Sequence, residues 1–291
     1  MKVHKYNLIL IIFLLGYFQS YAQGNLGDRL LGAAAGGLKA LTFTNEDAAA
    51  LSLQAITKLD AENPVAAKTD PYNIRLSRLF VKHVSEDGLR LNYRVYKLKD
   101  INAFAGADGS IRVFQGLMDI MDDNELLAVI GHEIGHVANQ DSKDAIRASL
   151  GKQALLDAAA SQSGRIAALT DSQLGQMGRV MWSNNHSRSQ ENAADAYSYD
   201  FMRRHGYNVN ALESAFNLIA KGDNGGGSNI ITTLFSSHPD SAERAATAKN
   251  RAIADGVYKP YVKIVTLVKV KAPVKAPVKA KVPVKKRPRK R

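Results

Sequence analysis

The chain has 291 residues, 45% of them hydrophobic and 23% charged, which excludes a fibrous or disordered protein and leaves room for one or two folded domains with a sizeable core. Its net charge of +12 is uneven: residues 269–291 carry 11 basic residues and no acid, while 23–268 hold 26 basic and 27 acidic ones, so the excess belongs to a tail and a nucleic-acid-binding core is not indicated. With no cysteine, disulfides, zinc ribbons, a thiol nucleophile and a lipid anchor on cysteine are excluded, and any metal must be held by histidine and carboxylate.

At the amino terminus Lys2, His4 and Lys5 precede an apolar run from Leu8 to Phe18, and Ser20-Tyr21-Ala22 supplies a small-x-small cleavage site, so residues 1–22 read as a secretory signal. No other stretch approaches the ~20 apolar residues of a membrane span. The mature protein is expected to be exported to the periplasm or outer envelope, soluble or peripherally bound. Thr44, with Asp47 three residues on, opens a helix to about Leu59, and Ile74, Leu76, Leu79 and Phe80 give Tyr72–Val84 an amphipathic period. Alternation over Leu91–Leu98, then Asn102–Ala105 and Ser110–Phe114 around the Gly106-Ala107-Asp108-Gly109 turn, predicts a small antiparallel sheet.

Asp123 or Asn124 caps a helix reaching about Ala138, and further helices are expected at 143–162, 187–204, 209–221 and 239–255, with Gly206 and Gly256 as terminators and Pro239 in a first turn. Gly222–Asn229, with three consecutive glycines, reads as a mobile loop, and Tyr261–Val265 as a last strand. The tail 269–291 alternates Val, Lys, Ala and Pro and cannot build a core; it is expected to be extended and solvated.

His132-Glu133-Ile134-Gly135-His136 is an HExxH sequence on an apolar-periodic helix. Histidines four apart lie one turn apart on the same face, so both rings reach a single zinc, while Glu133 projects beside them toward water. Catalytic zinc takes three protein ligands, and without cysteine the third must be His, Glu or Asp. Glu191 is the best candidate, on a helix where Ala193 and Ala194 permit close approach to the HExxH helix. Asp195, one turn further, can accept the free ring N–H of a ligand histidine. His186 is the alternative third ligand.

Taken together, Asn102-Ala103-Phe104-Ala105, Gly116-Leu117, Glu125 through His136, Ser187-Arg188-x-x-Glu191-x-x-Ala194-Asp195 and Ser237-His238-Pro239-Asp240 with Arg244 resemble, in order and spacing over about 72–256, the zinc endopeptidases related to HtpX and the CAAX prenyl proteases, metallopeptidase family forty-eight. The resemblance implies His132, His136 and Glu191 as ligands of one Zn2+, Glu133 as general base and acid, and Asp195 behind them. It places His238 and Arg244 near the active site as catalytic residues. His238 either stabilises the developing oxyanion or fills zinc's open position in a latent form. In the family, the stretch from Asn102, Ala103 and Phe104 to Phe114 is a sheet edge to which substrate adds as a strand.

Two departures stand out: Ala138-Asn139-Gln140-Asp141-Ser142 replaces the basic residue and extra histidine often found after the second ligand, and the polar, alanine-rich 143–183 replaces apolar spans. The expected architecture is α+β, mainly helical and zincin-like: a signal at 1–22, a helical segment at 23–71, a zinc metallopeptidase domain at 72–268 and the tail. The expected activity is endoproteolysis of unfolded or misfolded envelope proteins, with a zinc-stabilised chaperone as the alternative. The tail is expected to seek anionic membrane or lipopolysaccharide.

Overall fold

A computed structural model describes residues 43–148, 170–182, 186–224, 238 and 240–264. The leader, most of the predicted 143–162 helix, Pro239 and the basic tail lie outside the described residues. Helix α1, Asn45–Glu62, opens with a reciprocal capping box between Thr44 and Asp47. Helix α2, Pro71–Phe80, is capped by Asp70 with proline at its first position; it ends at Phe80, four residues short of the predicted Val84, and the chain then enters the hairpin of β1, Ser85–Glu86, and β2, Leu89–Arg90.

Strands β3, Asn92–Tyr96, β4, Ala103–Ala105, and β5, Ser110–Phe114, form one sheet in the order β3-β5-β4. The sheet is mixed, not wholly antiparallel: β4 and β5 make the expected hairpin, closed at Gly109 with φ +81°, but β3 runs parallel to β5. Turn chemistry selects the hairpin and is silent on where β3 joins. The middle place goes to β5, buried at all five residues. Pro64 and Ala66 close the outer edge of β3 through hydrogen bonds with Lys97 and Val95.

The short α3, Gln115–Ile120, leads into α4, Asp123–Ala138. After them come α5, Asp171–Trp182, α6, Arg188–Arg204, α7, Asn210–Asn224, and α8, Ser241–Ala254. Neither α3 nor α5 is foreshadowed in the sequence, and α7 continues through the first residues of the predicted Gly222–Asn229 loop. Residues 261–264 form no strand: Tyr261 Oη and the Ile264 N–H instead bond the Asp122 carboxylate that caps α4.

Two cores flank the sheet, because alternate strand residues face opposite ways. Val95, Ala103, Ile111 and Val113 join α2, α4, α6 and α7 in the larger core. Tyr96, Phe104 and Phe114 join α1 and α5 in the smaller one. Helix α1 therefore covers one face of the sheet that lies beside the active-site helix.

Candidate active site

Helix α4 is buried at every residue from Glu125 to Val137, so it is apolar all round except for the groups that carry chemistry. Its cap is strong. Asp122 and Glu125 form a reciprocal box, and Glu125 Oε1 also accepts from Ser214 Oγ at 2.7 Å. Against α4 lies α6, and glycines set their separation: a Cβ on Gly135 would stand 3.0 Å from Ala194 Cα, and one on Gly131 would stand 2.9 Å from Phe201. Ala194 is the small residue at this contact; Ala193 is exposed and takes no part. Ser198 Oγ donates to Ala128 O across the same seam.

This close packing brings α6 carboxylates to α4 histidines. His132 Nε2 and His136 Nε2 are 3.0 Å apart, and Glu191 oxygens lie 3.5 Å from each. His238 Nδ1 completes the group, 3.2 Å from His132 Nε2 and 2.9 Å from Glu191 Oε1. Zinc bonds of ~2.0–2.1 Å in a tetrahedron put donors roughly 3.3 Å apart, and the four donors observed lie at 2.9–3.5 Å wherever a pair is close. The donor set fits one small cation.

The surroundings fix which ring nitrogens are offered. Asp195 Oδ1 lies 2.8 Å from His132 Nδ1, and Asp141 Oδ2 lies 2.9 Å from His136 Nδ1. Burial, with the charges of Arg244 and His136, draws the His132 pKa down to about 3, so that ring is neutral with its Nε2 lone pair facing the others. Burial opposes a charge on His136, but the carboxylates of Asp141, Glu191 and Glu133 prevail and raise its pKa to about 9; its Nε2 sits where positive charge is favoured. Burial alone would raise Glu191, yet the three histidines around it hold its pKa far below the usual carboxylate range.

Arg244 packs against the donors from the side away from β4 and lines a small space with His132, Glu133 and His238. Its Nη1 is 2.8 Å from Glu191 Oε2, its Nη2 and Nε are 2.6 and 2.8 Å from Asp195, and its guanidinium lies over the Phe216 ring. Burial opposes its charge, and the two α6 carboxylates compensate. Its guanidinium thus clamps both carboxylates.

Glu133 Oε1 is buried with no hydrogen-bond partner, 3.6 Å from His238 Nε2, and burial pushes its pKa upward. An orphaned carboxylate oxygen beside a cation site is placed to take a proton. Next to it a cleft runs to β4. Ala103 and Phe104 line it beneath Trp182, whose indole stacks on Phe104; Asn102 does not line it and donates to Trp182 O. The remaining space is about 20 Å³, room for little more than one water. A larger cavity of about 340 Å³ lies between α6 and α8, where Glu191, Asp195 and Arg244 present their other sides; Glu133 does not reach it.

His186 is not in the four-donor group; its ring stacks on His136 with centroids 3.7 Å apart. Sequence reasoning singled out neither Asp141 nor Trp182. An acid five residues after the second histidine was the only signal for the first, and none marked the second.

Comparison with known proteins agrees with this geometry. The profile of peptidase family M48 matches residues 76–252. Metalloprotease LoiP of Escherichia coli (strain K12) is 40% identical over 229 residues, covering 78% of this chain and 89% of that protein. Metalloprotease YcaL of the same organism is 38% identical over 220 residues, 75% of this chain and 84% of its own. Protease HtpX of Xanthomonas euvesicatoria pv. vesicatoria (strain 85-10) matches a shorter stretch of 65 residues at 45% identity, 21% of this chain and 22% of its own.

Proposed function

Because the chain belongs to peptidase family M48 and is thus a zinc metalloendopeptidase, we propose that it cleaves unfolded or misfolded polypeptides in the cell envelope, with His132, His136 and Glu191 holding the metal and Glu133 moving the proton. One observation carries the site assignment: three donors from two helices converge within 3.5 Å of one another with an unpartnered carboxylate beside them. Zinc, when bound there, supplies a Lewis acid that polarises the scissile carbonyl and acidifies water. Glu133 takes a proton from the attacking water and delivers it to the leaving amine, and its raised pKa suits both halves of the transfer. Asp195 and Arg244 keep Glu191 and His132 in register during this exchange.

The placing of β4 supports the substrate class. It is an outer strand of the sheet and lines the cleft beside Glu133, so a chain that pairs with it there is extended. His238 supplies the fourth donor, which favours the latent reading over the oxyanion reading: the resting site is closed until His238 leaves. Export rests on the 1–22 leader, and among the described residues no helix is long and apolar enough to cross a membrane. The 269–291 tail, with 11 basic residues, suits anionic lipid or lipopolysaccharide.

Zinc analysis of the purified chain together with casein digestion tests the reading. The expected result is about one zinc per chain and cleavage that stops with a chelator and falls by at least ~10²-fold in Glu133→Gln, while zinc and client binding persist. Client binding without cleavage in the wild type would establish the chaperone reading in its place. Deleting 269–291 is expected to abolish low-salt binding to anionic liposomes; unchanged binding would end the tethering idea.

A further inference from the structure

We infer that Asp141, carried back toward the site by a left-handed residue at Gln140, is a positioning residue that aims His136 and thereby sets the metal affinity of the centre. This rests on the reading of His132, His136 and Glu191 as the metal-holding set. Helix α4 ends at Ala138, and Asn139 caps it with its N–H on Gly135 O. Gln140 then takes φ +65°, a region that side-chain-bearing residues rarely adopt. A glycine would be expected where only a helix stop was needed. The reversal starts a new helical stretch at 141–148 and returns the Asp141 carboxylate to the ring it has just passed.

The contact is buried and directed. Asp141 is 5% exposed, and its Oδ2 stands 2.9 Å from His136 Nδ1. Among the described residues its one ion-pair contact within 4.0 Å is this imidazole, with the His186 ring stacked on the far side of His136. Asp195 does the same for His132 but shares its carboxylate with Arg244. A ring held at Nδ1 has only its Nε2 free to point into the donor group, where His132 Nε2 is 3.0 Å away. The adjacent Ser142 Oγ lies 3.4 Å from Ala105 O, so the same turn also touches the strand that lines the cleft.

A purely structural role is the competing explanation, since Asp141 opens the 141–148 stretch, where an acid favours the helix dipole. The experiment therefore compares the full chain with Asp141→Ser, which can still cap a helix but is too short to reach the ring, and with Asp141→Asn, which keeps an acceptor. Zinc dissociation constants are measured by competition with a chromophoric chelator, and melting of the metal-free proteins is followed in parallel. The expected result is zinc affinity about 10–100-fold weaker in Asp141→Ser, with an intermediate loss in Asp141→Asn and no matching change in metal-free melting. Wild-type affinity in Asp141→Ser, or a loss that merely follows metal-free melting, overturns the inference. If Asp141→Ser does not fold, cobalt(II) ligand-field bands of Asp141→Asn decide: shifted bands support it and wild-type bands overturn it. A wild-type chain that takes up no zinc overturns the metal-site reading and this inference together.

Discussion

At the scale of single residues, the site is a set of charges that only make sense in pairs. Glu191 and Asp195 are two carboxylates one turn apart on α6, the first buried and the second half-buried, and Arg244 from α8 lies against both. Leaving the buried Glu191 without a counter-charge would cost several kcal/mol, which explains why Arg244 is held against it. His238 Nδ1 stands within the donor group, 3.2 Å from His132 Nε2 and 2.9 Å from Glu191 Oε1. On the proposed latent reading, its removal opens the site. His238→Ala is expected to raise casein turnover, by tenfold for each ~1.4 kcal/mol by which the closed form is favoured, as read from kcat/KM on denatured substrate. A fall in turnover would return His238 to the oxyanion role. Asp141 and Asp195 show how residues outside the donor set decide which nitrogen is offered.

At the scale of elements, the pairing of α4 with α6 makes the centre. Gly135 meets Ala194, and because the obstructing atoms are backbone, no side chain can swing aside to admit a Cβ. Gly135→Ala is expected to destabilise the protein by about 1–3 kcal/mol and to weaken zinc binding, since it moves Glu191 away from His132 and His136; chemical denaturation and a zinc titration check both. Much of this pairing was legible in the sequence: HExxH periodicity, the Glu191–Asp195 spacing and small residues at the facing position are local features. What was not legible follows from non-local packing. Pairing between β3 and β5 depends on which strand is buried on both edges, and the α5 helix is stabilised by packing Met177 and Met181 against α1. The strand expected at Tyr261–Val265 is absent over 261–264, where Tyr261 Oη and the Ile264 N–H are held by the Asp122 carboxylate that caps α4.

At the scale of the whole molecule, the sheet separates two cores, and α1 belongs to the second. Tyr96, Phe104 and Phe114 would keep only the cover of α5 without it. A chain beginning at residue 64 is therefore expected to bind a hydrophobic dye and to lose the cooperative melting transition of the intact protein; retention of both cooperative melting and proteolysis would show that α1 is dispensable. The same smaller core carries Trp182 over β4, so covering of the sheet and closure of the cleft are one packing arrangement. The amino-acid sequence by itself determined the chemistry: two imidazoles one turn apart with a carboxylate between them, a distant acid on a second helix, and the absence of cysteine leave little choice of reaction, because helix periodicity is a local property. Only the tertiary structure showed that His238 joins the donor group, that Arg244 lies against both α6 carboxylates, and that Asp141 turns back on His136. Each of these depends on contacts between segments whose distance in space no local pattern encodes.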